Sequence, residues 1–230
     1  MKIHTTSLQQ GAKNAEGVVV IIDVFRACST ACYLFEAGVE QIFVAKTVAL
    51  ARNLKDKHPE CILVGERGGE KIDGFNYGNS PSEIRGQNLR NRRAILTTSA
   101  GTKGLIAAKN SVSDLLFGGL TNLGATVRYI QKRNPVKVTL VAMGRAGKKR
   151  ANEDEICAHW MKKRLLGEPL TDVSSVIEEL KDGDGQRFFR EETQDWMPKE
   201  DFYLCTDLNR FGFVIVATDK SSKDIFLRKS

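Results

Sequence analysis

Apolar residues come in unbroken runs along much of the chain. Residues 18–23 read VVVIID and residues 94–98 read AILTT. Continuous β-branched runs suit strands covered on both faces, as in a parallel sheet. After the first run a helix is predicted through Ala37, with Ser29 or Thr30 as its cap and Gly38 as its stop. The pattern then repeats. Strands are predicted at 42–45, 61–65, 94–98, 115–117 and 136–143. Helices are predicted at 47–57, 82–88, 101–109, 122–133, 153–166 and 174–181. The helix over 153–166 is amphipathic, with Ile156, Trp160, Met161 and Leu165 on one face. Residues 182–195 are polar and contain glycine, and strands at 211–217 and 224–227 are expected to pair as a hairpin at a sheet edge. The alternation predicts an α/β fold: three layers, α/β/α, around a mostly parallel, mixed central sheet, in one domain over 1–230.

Composition narrows the class. Of 230 residues 41% are hydrophobic and 27% charged, as in ordinary globular proteins. The net charge of +7 suits an anionic partner, against the plain alternative of a solvated lysine surface. Aromatics make up 7% and fall in apolar runs, which disfavours nucleic acid despite the basic loop RAGKKR at 145–150. Five cysteines are an odd number with no C-x-x-C pair, and no apolar stretch approaches a membrane span or a signal core. A reduced, cytoplasmic protein without a membrane partner is expected, with a homo-oligomer left open.

A parallel sheet places its site beyond the carboxyl ends of its strands. The first predicted strand ends in Asp23, followed by Arg26 and Ser29-Thr30. The third ends in Gly65-Glu66-Arg67, the fourth in Thr97-Thr98-Ser99, and the strand at 136–143 leads to Glu153-Asp154. Each hydroxyl alone reads better as a helix cap, and acids suit a helix first turn by about 0.3–1 kcal/mol. Asp23 is harder to dismiss, since a carboxylate ending an apolar strand is desolvated unless paired or metal-bound. Hard oxygen donors beside helix N-termini suit Mg²⁺ and a phosphate. His4, His58 and His159 form no zinc pattern with the cysteines, and His159 is expected to be packed or to face the surface.

Two phosphatase patterns are excluded. Cys61 and Arg67 have C-x₅-R spacing, but a strand between them would hold the ends roughly 20 Å apart. Asp23-Val24-Phe25 lacks the second acid that an aspartyl-phosphate enzyme of the haloacid dehalogenase type needs. Neither a P-loop nor G-x-S-x-G is present. Residues 65–83, GERGGEKIDGFNYGNSPSE, hold five glycines and exceed what a corner needs. They read as a wall of an anion site, with Gly78-Asn79-Ser80-Pro81 turning into a short helix whose amides point at a ligand, or else as a structural loop.

The stretches VVVIIDVFRACSTACYLFEAG, GERGGEKIDGFNYGNSPSEI, LTTSAGTKGL and ANEDEICA, in this order, resemble the Mg²⁺-dependent 2-phosphosulfolactate phosphatases over about residues 18–158. The resemblance implies hydrolysis of a phosphate ester on a small anionic acid, releasing sulfolactate and phosphate, a step that serves coenzyme M synthesis in methane-forming archaea. A phosphatase reading assigns Asp23, Arg26 and Glu66 as catalytic. It assigns Asp23, Glu66, Glu153 and Asp154 to Mg²⁺, and Arg67, Asn79, Ser80, Thr98 and Ser99 to substrate, with Arg26 and Arg67 on the anion. Water or Asp23 could attack phosphorus. Ala100, Asn76, Cys28 and Ile215 depart from the family's pattern. The competing classes are a nucleic-acid binder and a relative that senses a small anion without turnover.

Overall fold

Every apolar run of the sequence becomes an inner strand. The computed structural model of the chain describes residues 1–109, 112–218 and 225–230. Its strands are β1 (Lys2–Ser7), β2 (Gly17–Ile22), β3 (Gln41–Val44), β4 (Ile62–Arg67), β5 (Glu70–Lys71), β6 (Arg93–Thr97), β7 (Val112–Gly118), β8 (Lys137–Ala142), β9 (Ile215–Thr218) and β10 (Phe226–Lys229). Its helices are α1 (Leu8–Lys13), α2 (Ala27–Glu36), α3 (Val48–Lys57), α4 (Pro81–Ile84), α5 (Gly101–Ala108), α6 (Leu123–Arg133), α7 (Asn152–Leu165), α8 (Val173–Asp182) and α9 (Lys199–Thr206).

The strands form one mixed sheet in the order β1-β8-β2-β7-β9-β10-β3-β6-β4-β5, between two helical layers. Period-two burial builds those layers. On β2, Val19 and Ile21 face a core shared with α1, α2 and α5, whereas Val18, Val20 and Ile22 face one shared with α6 and α7. Each such side chain contributes about 1.5–3 kcal/mol by leaving water. On β6, Ala94 and Leu96 face the first core while Ile95 packs under α3.

The hairpin of β9 and β10 forms, but not at an edge. It lies inside the sheet, β9 against β7 and β10 against β3. Its apolar residues explain this: Ile215, Ala217 and Leu227 are buried. Position 224, the expected start of its second strand, lies outside the described residues. Pairing is antiparallel at β7–β9, β9–β10 and β10–β3, so three reversals leave β3-β6-β4 running against β1-β8-β2-β7. Residues following strands of both blocks nevertheless line one cavity.

Other boundaries differ too. β1, absent from the sequence reading, pairs in parallel with β8. Helix α2 starts at Ala27, so Ser29 and Thr30 lie inside it rather than capping it. Helix α4 covers Pro81–Ile84 instead of 82–88, because Gly86 adopts φ +81° two residues beyond it. Helix α9 was not expected.

Candidate active site

Asp23 follows β2 and meets the first turns of two helices. Its Oδ1 accepts the Ala27 amide of α2 at 3.2 Å, and its Oδ2 accepts the Gly101 amide of α5 at 2.7 Å. A Cβ at Gly101 would lie 2.7 Å from Asp23 Oδ2 and 2.8 Å from the Phe117 ring, so only glycine permits this approach. Burial, reinforced by Glu66 nearby, raises the Asp23 carboxyl to about 6 despite both amides and Arg187.

Asp154, in the first turn of α7, ties the ends of β2 and β8 together. Its Oδ1 accepts the Val24 amide and its Oδ2 the Gly144 amide, both at 2.7 Å. Gly144 sits at φ +63°, where a Cβ would strike Lys149 O. Burial first, then Glu153 and Asp23, push Asp154 well above the carboxylate range. Glu153 is held at about 7 by burial, opposed mainly by Arg187, which reaches its Oε1 at 3.2 Å. Its buried Oε2 has no partner among the described residues. Glu66 ends β4 and accepts from the Ser99 amide at 2.6 Å, the Ser99 hydroxyl at 3.0 Å and the Gly69 amide at 2.9 Å.

These four acids line one cavity of about 310 Å³ with Arg26, Asn79, Ser99, Ala100, Arg145 and Arg187, among others. The predicted Arg67, Ser80 and Thr98 do not line it. Arg67 donates to Thr97 Oγ1 at 2.8 Å and to its neighbour's carbonyl. Thr98 pairs with Thr102. Ser80 donates to Asp201 Oδ1 at 3.0 Å, and Ser82 N, at the start of α4, donates there at 2.9 Å. The α4 amide thus serves a protein carboxylate rather than an open ligand site.

Arg26 lines the cavity but is bonded on both terminal nitrogens. Nη1 donates to Asp201 Oδ2 at 2.8 Å and to Trp196 O at 2.6 Å, and Nη2 donates to Gly69 O at 2.9 Å. Both ions are buried. The sequence reading missed residues 183–206, which cap the cavity with Arg187, Phe188 and Met197 and supply Asp201. The run GQRFFR, an arginine against two aromatics, was the available signal. Arg187 lies 5.6 Å from the Phe25 ring centroid and 5.5 Å from that of Phe188.

The strand through residues 62–67 confirms that Cys61 and Arg67 frame no phosphate cradle. All five cysteines are free and buried, and His159 is exposed. No helix among the described residues is long and apolar enough to cross a membrane.

A family model described as 2-phosphosulpholactate phosphatase matches residues 3–220. The chain belongs to the 2-phosphosulpholactate phosphatase family. A Bacillus subtilis (strain 168) relative named "Probable 2-phosphosulfolactate phosphatase" is 30% identical over 189 residues, 81% of each chain. A relative of the same name from Carboxydothermus hydrogenoformans is 39% identical over 145 residues, 63% of this chain and 59% of its own. One from Deinococcus radiodurans is 33% identical over 131 residues, 57% and 55%. Of the departures from the family pattern, Ala100 lines the cavity. Asn76 does not, and its Oδ1 accepts the Leu63 amide of β4 at 2.8 Å. Cys28 is buried in α2, and Ile215 opens the inner strand β9.

The donors fit a hard cation in type, being carboxylate oxygens with one orphaned at Glu153. Among the described residues no group of three or more His, Cys, Asp or Glu is placed to hold a metal ion. A site using one or two of these carboxylates, completed by substrate oxygens and water, matches how Mg²⁺ is usually held.

Proposed function

We propose that the protein hydrolyses the phosphate ester of a small anionic acid in a Mg²⁺-dependent reaction, with 2-phosphosulfolactate, the substrate in its relatives' names, as the leading candidate. One observation carries this reading: four buried acids and three arginines share a single small cavity. About 310 Å³ is at the low end for ligand pockets, suited to a compact metabolite. The arginines attract a multiply charged anion, and the acids do not repel it once a divalent cation is bound among them.

Glu153, whose Oε2 has no partner among the described residues, would hold Mg²⁺ together with one of Asp23 and Glu66, and Asp154 behind them fixes the ends of β2 and β8. Bound Mg²⁺ would polarise the phosphoryl group and offset the charge that develops on it. Asn79, which lines the cavity and whose Oδ1 has no partner among the described residues, would orient substrate through its amide. Ser99 would add its hydroxyl. Asp23, held by an amide on each oxygen, would act as the base for an attacking water rather than as the nucleophile. A carboxyl value near 6 suits proton transfer near neutral pH.

The test is phosphate release from 2-phosphosulfolactate and from other small phosphorylated acids, with Mg²⁺ and with chelator. Turnover that persists in chelator would exclude the metal. No turnover of any small phosphorylated acid would exclude the phosphatase. Acid-quenched enzyme should carry no hydroxylamine-labile phosphate, and a labelled Asp23 would reverse the choice of nucleophile.

A further inference from the structure

We propose that Arg187 selects for a second anionic group on the substrate, a sulfonate or carboxylate, apart from the phosphate ester. The inference rests on reading the cavity as a phosphatase site. Its starting point is the contrast between two arginines in one cavity. Arg26 is bonded on both terminal nitrogens and paired with buried Asp201, whose other oxygen holds Ser80 and Ser82. Its charge is balanced and its geometry is fixed to protein groups. Arg145, at the cavity rim, pairs with Asp184.

Arg187 is different. The one hydrogen bond of its side chain among the described residues goes to Glu153 at 3.2 Å, and there its buried Nε has no partner. Buried polar groups without partners are uncommon, and one at a cavity wall is an expected contact point for a ligand. The guanidinium lies against two aromatic rings, Phe25 and Phe188, which limit its motion. A planar, fixed fork with spare donors matches the oxygens of a sulfonate or carboxylate.

Position decides which anion it takes. Asp23, Glu66 and Ser99 sit at strand ends, where Mg²⁺ and the phosphoryl group are placed by the proposed function. Arg187 comes from the cap and touches the site at Glu153. A substrate with its ester among the strand-end acids would present its other charged group to the cap. Glu153 Oε2, the second orphaned atom, lies on the acid that both halves share.

The experiment uses the full chain with Mg²⁺ and two phosphate-separated probes, 3-sulfolactate and inorganic phosphate, titrated by calorimetry. Arg187→Gln should weaken 3-sulfolactate at least about tenfold, the loss of a charge-assisted pair, while phosphate changes less than about threefold. Arg187→Lys, which keeps charge without the fork, should fall between wild type and Arg187→Gln. Equal losses for both probes, or unchanged 3-sulfolactate binding, overturn the inference, as does a wild type that binds no 3-sulfolactate. Thermal unfolding checks the fold, and if Arg187→Gln fails to fold, the selective loss is read from Arg187→Lys. Wild-type turnover is scored separately. An inactive enzyme whose 3-sulfolactate binding still depends on Arg187 would sink the phosphatase reading and reduce this inference to an anion contact at Arg187, whereas an active enzyme with equal losses for both probes would sink the inference alone.

Discussion

The two walls of the cavity are built differently. On the strand-end wall Asp23, Asp154 and Glu66 are held by backbone amides, from Ala27, Gly101, Val24, Gly144, Gly69 and Ser99. On the cap wall, side chains meet other side chains and loop carbonyls: Arg187 with Glu153 and two rings, Arg26 with Asp201 and Trp196. Amides at strand and helix ends are fixed once the sheet forms, so the first wall is set by secondary structure. The second exists only after residues 183–206 have docked. The acids assigned to chemistry by the proposed function are on the first wall, and Arg187, proposed to select the ligand, is on the docked one.

The comparison breaks first at Asp23. Asp23→Asn should lower kcat by about 10³-fold or more, from loss of base and metal ligand together. The melting temperature should move little, because the substitution also removes a costly buried charge. Substantial activity in this variant would strip the strand-end wall of its chemical role. On the cap wall the expected damage is to stability. Asp201→Ala strands Arg26, a buried cation, and should cost about 3–5 kcal/mol in denaturant unfolding. Arg26→Met with Asp201→Leu should recover much of that loss, since an apolar pair needs no partner for a buried charge. A loss under 1 kcal/mol for Asp201→Ala would mean the cap is not tied down through this pair.

The same division explains what the sequence could reveal. Asp23, Glu66, Ser99, Glu153 and Asp154 each follow an apolar run, so each was legible as a strand-end group, but the meeting of those after β2 and β8 with those after β4 and β6 was not, because the two blocks run against each other. The three-layer fold followed from the same runs. Strand β1 was not legible because it lies at the sheet edge, where KIHTTS needs no unbroken apolar face to add backbone bonds to β8. The inner place of β9 and β10 depends on long-range pairing, which local pattern does not encode. Arg187 and Asp201 lie in polar surroundings and reach the site only through tertiary packing. Arg67 and Thr98 stand at the right strand ends but point into protein contacts, because neighbours at a strand end alternate in direction, and Ser80, ahead of α4, is taken up by Asp201.

Acidity distinguishes the walls by a smaller effect. Burial lifts Asp23 from an ordinary 3.8 to about 6 and Glu153 from 4.5 to about 7. The unfolded chain therefore ionises these groups first. Their contribution to stability is complete below about pH 4, is lost progressively as pH rises through the folded values of about 6 and 7, and is gone above them. For Asp23 the change is on the order of 3 kcal/mol. In chelator, the melting temperature should be higher at pH 5 than at pH 8, and Asp23→Asn should flatten the slope. Mg²⁺ at pH 8 should restore part of the difference. A metal-free protein more stable at pH 8 than at pH 5 would contradict the buried acids as described.

The smallest effect is expected at Asn76, one of the positions that depart from the family's pattern. Its Oδ1 accepts the Leu63 amide, and the residue itself is exposed and outside the cavity. An aspartate can accept the same amide from the same place, and its added charge would face water. Asn76→Asp should change stability by no more than about 0.5 kcal/mol and leave kcat/KM within about twofold. Asn76→Ala removes the acceptor from the Leu63 amide and should cost about 1 kcal/mol, again with little effect on turnover. A tenfold gain in kcat/KM for Asn76→Asp would show that this carboxylate acts on the site from outside the cavity. The strand-end wall would then extend into the glycine loop, and the rigid half of the comparison would have to include it.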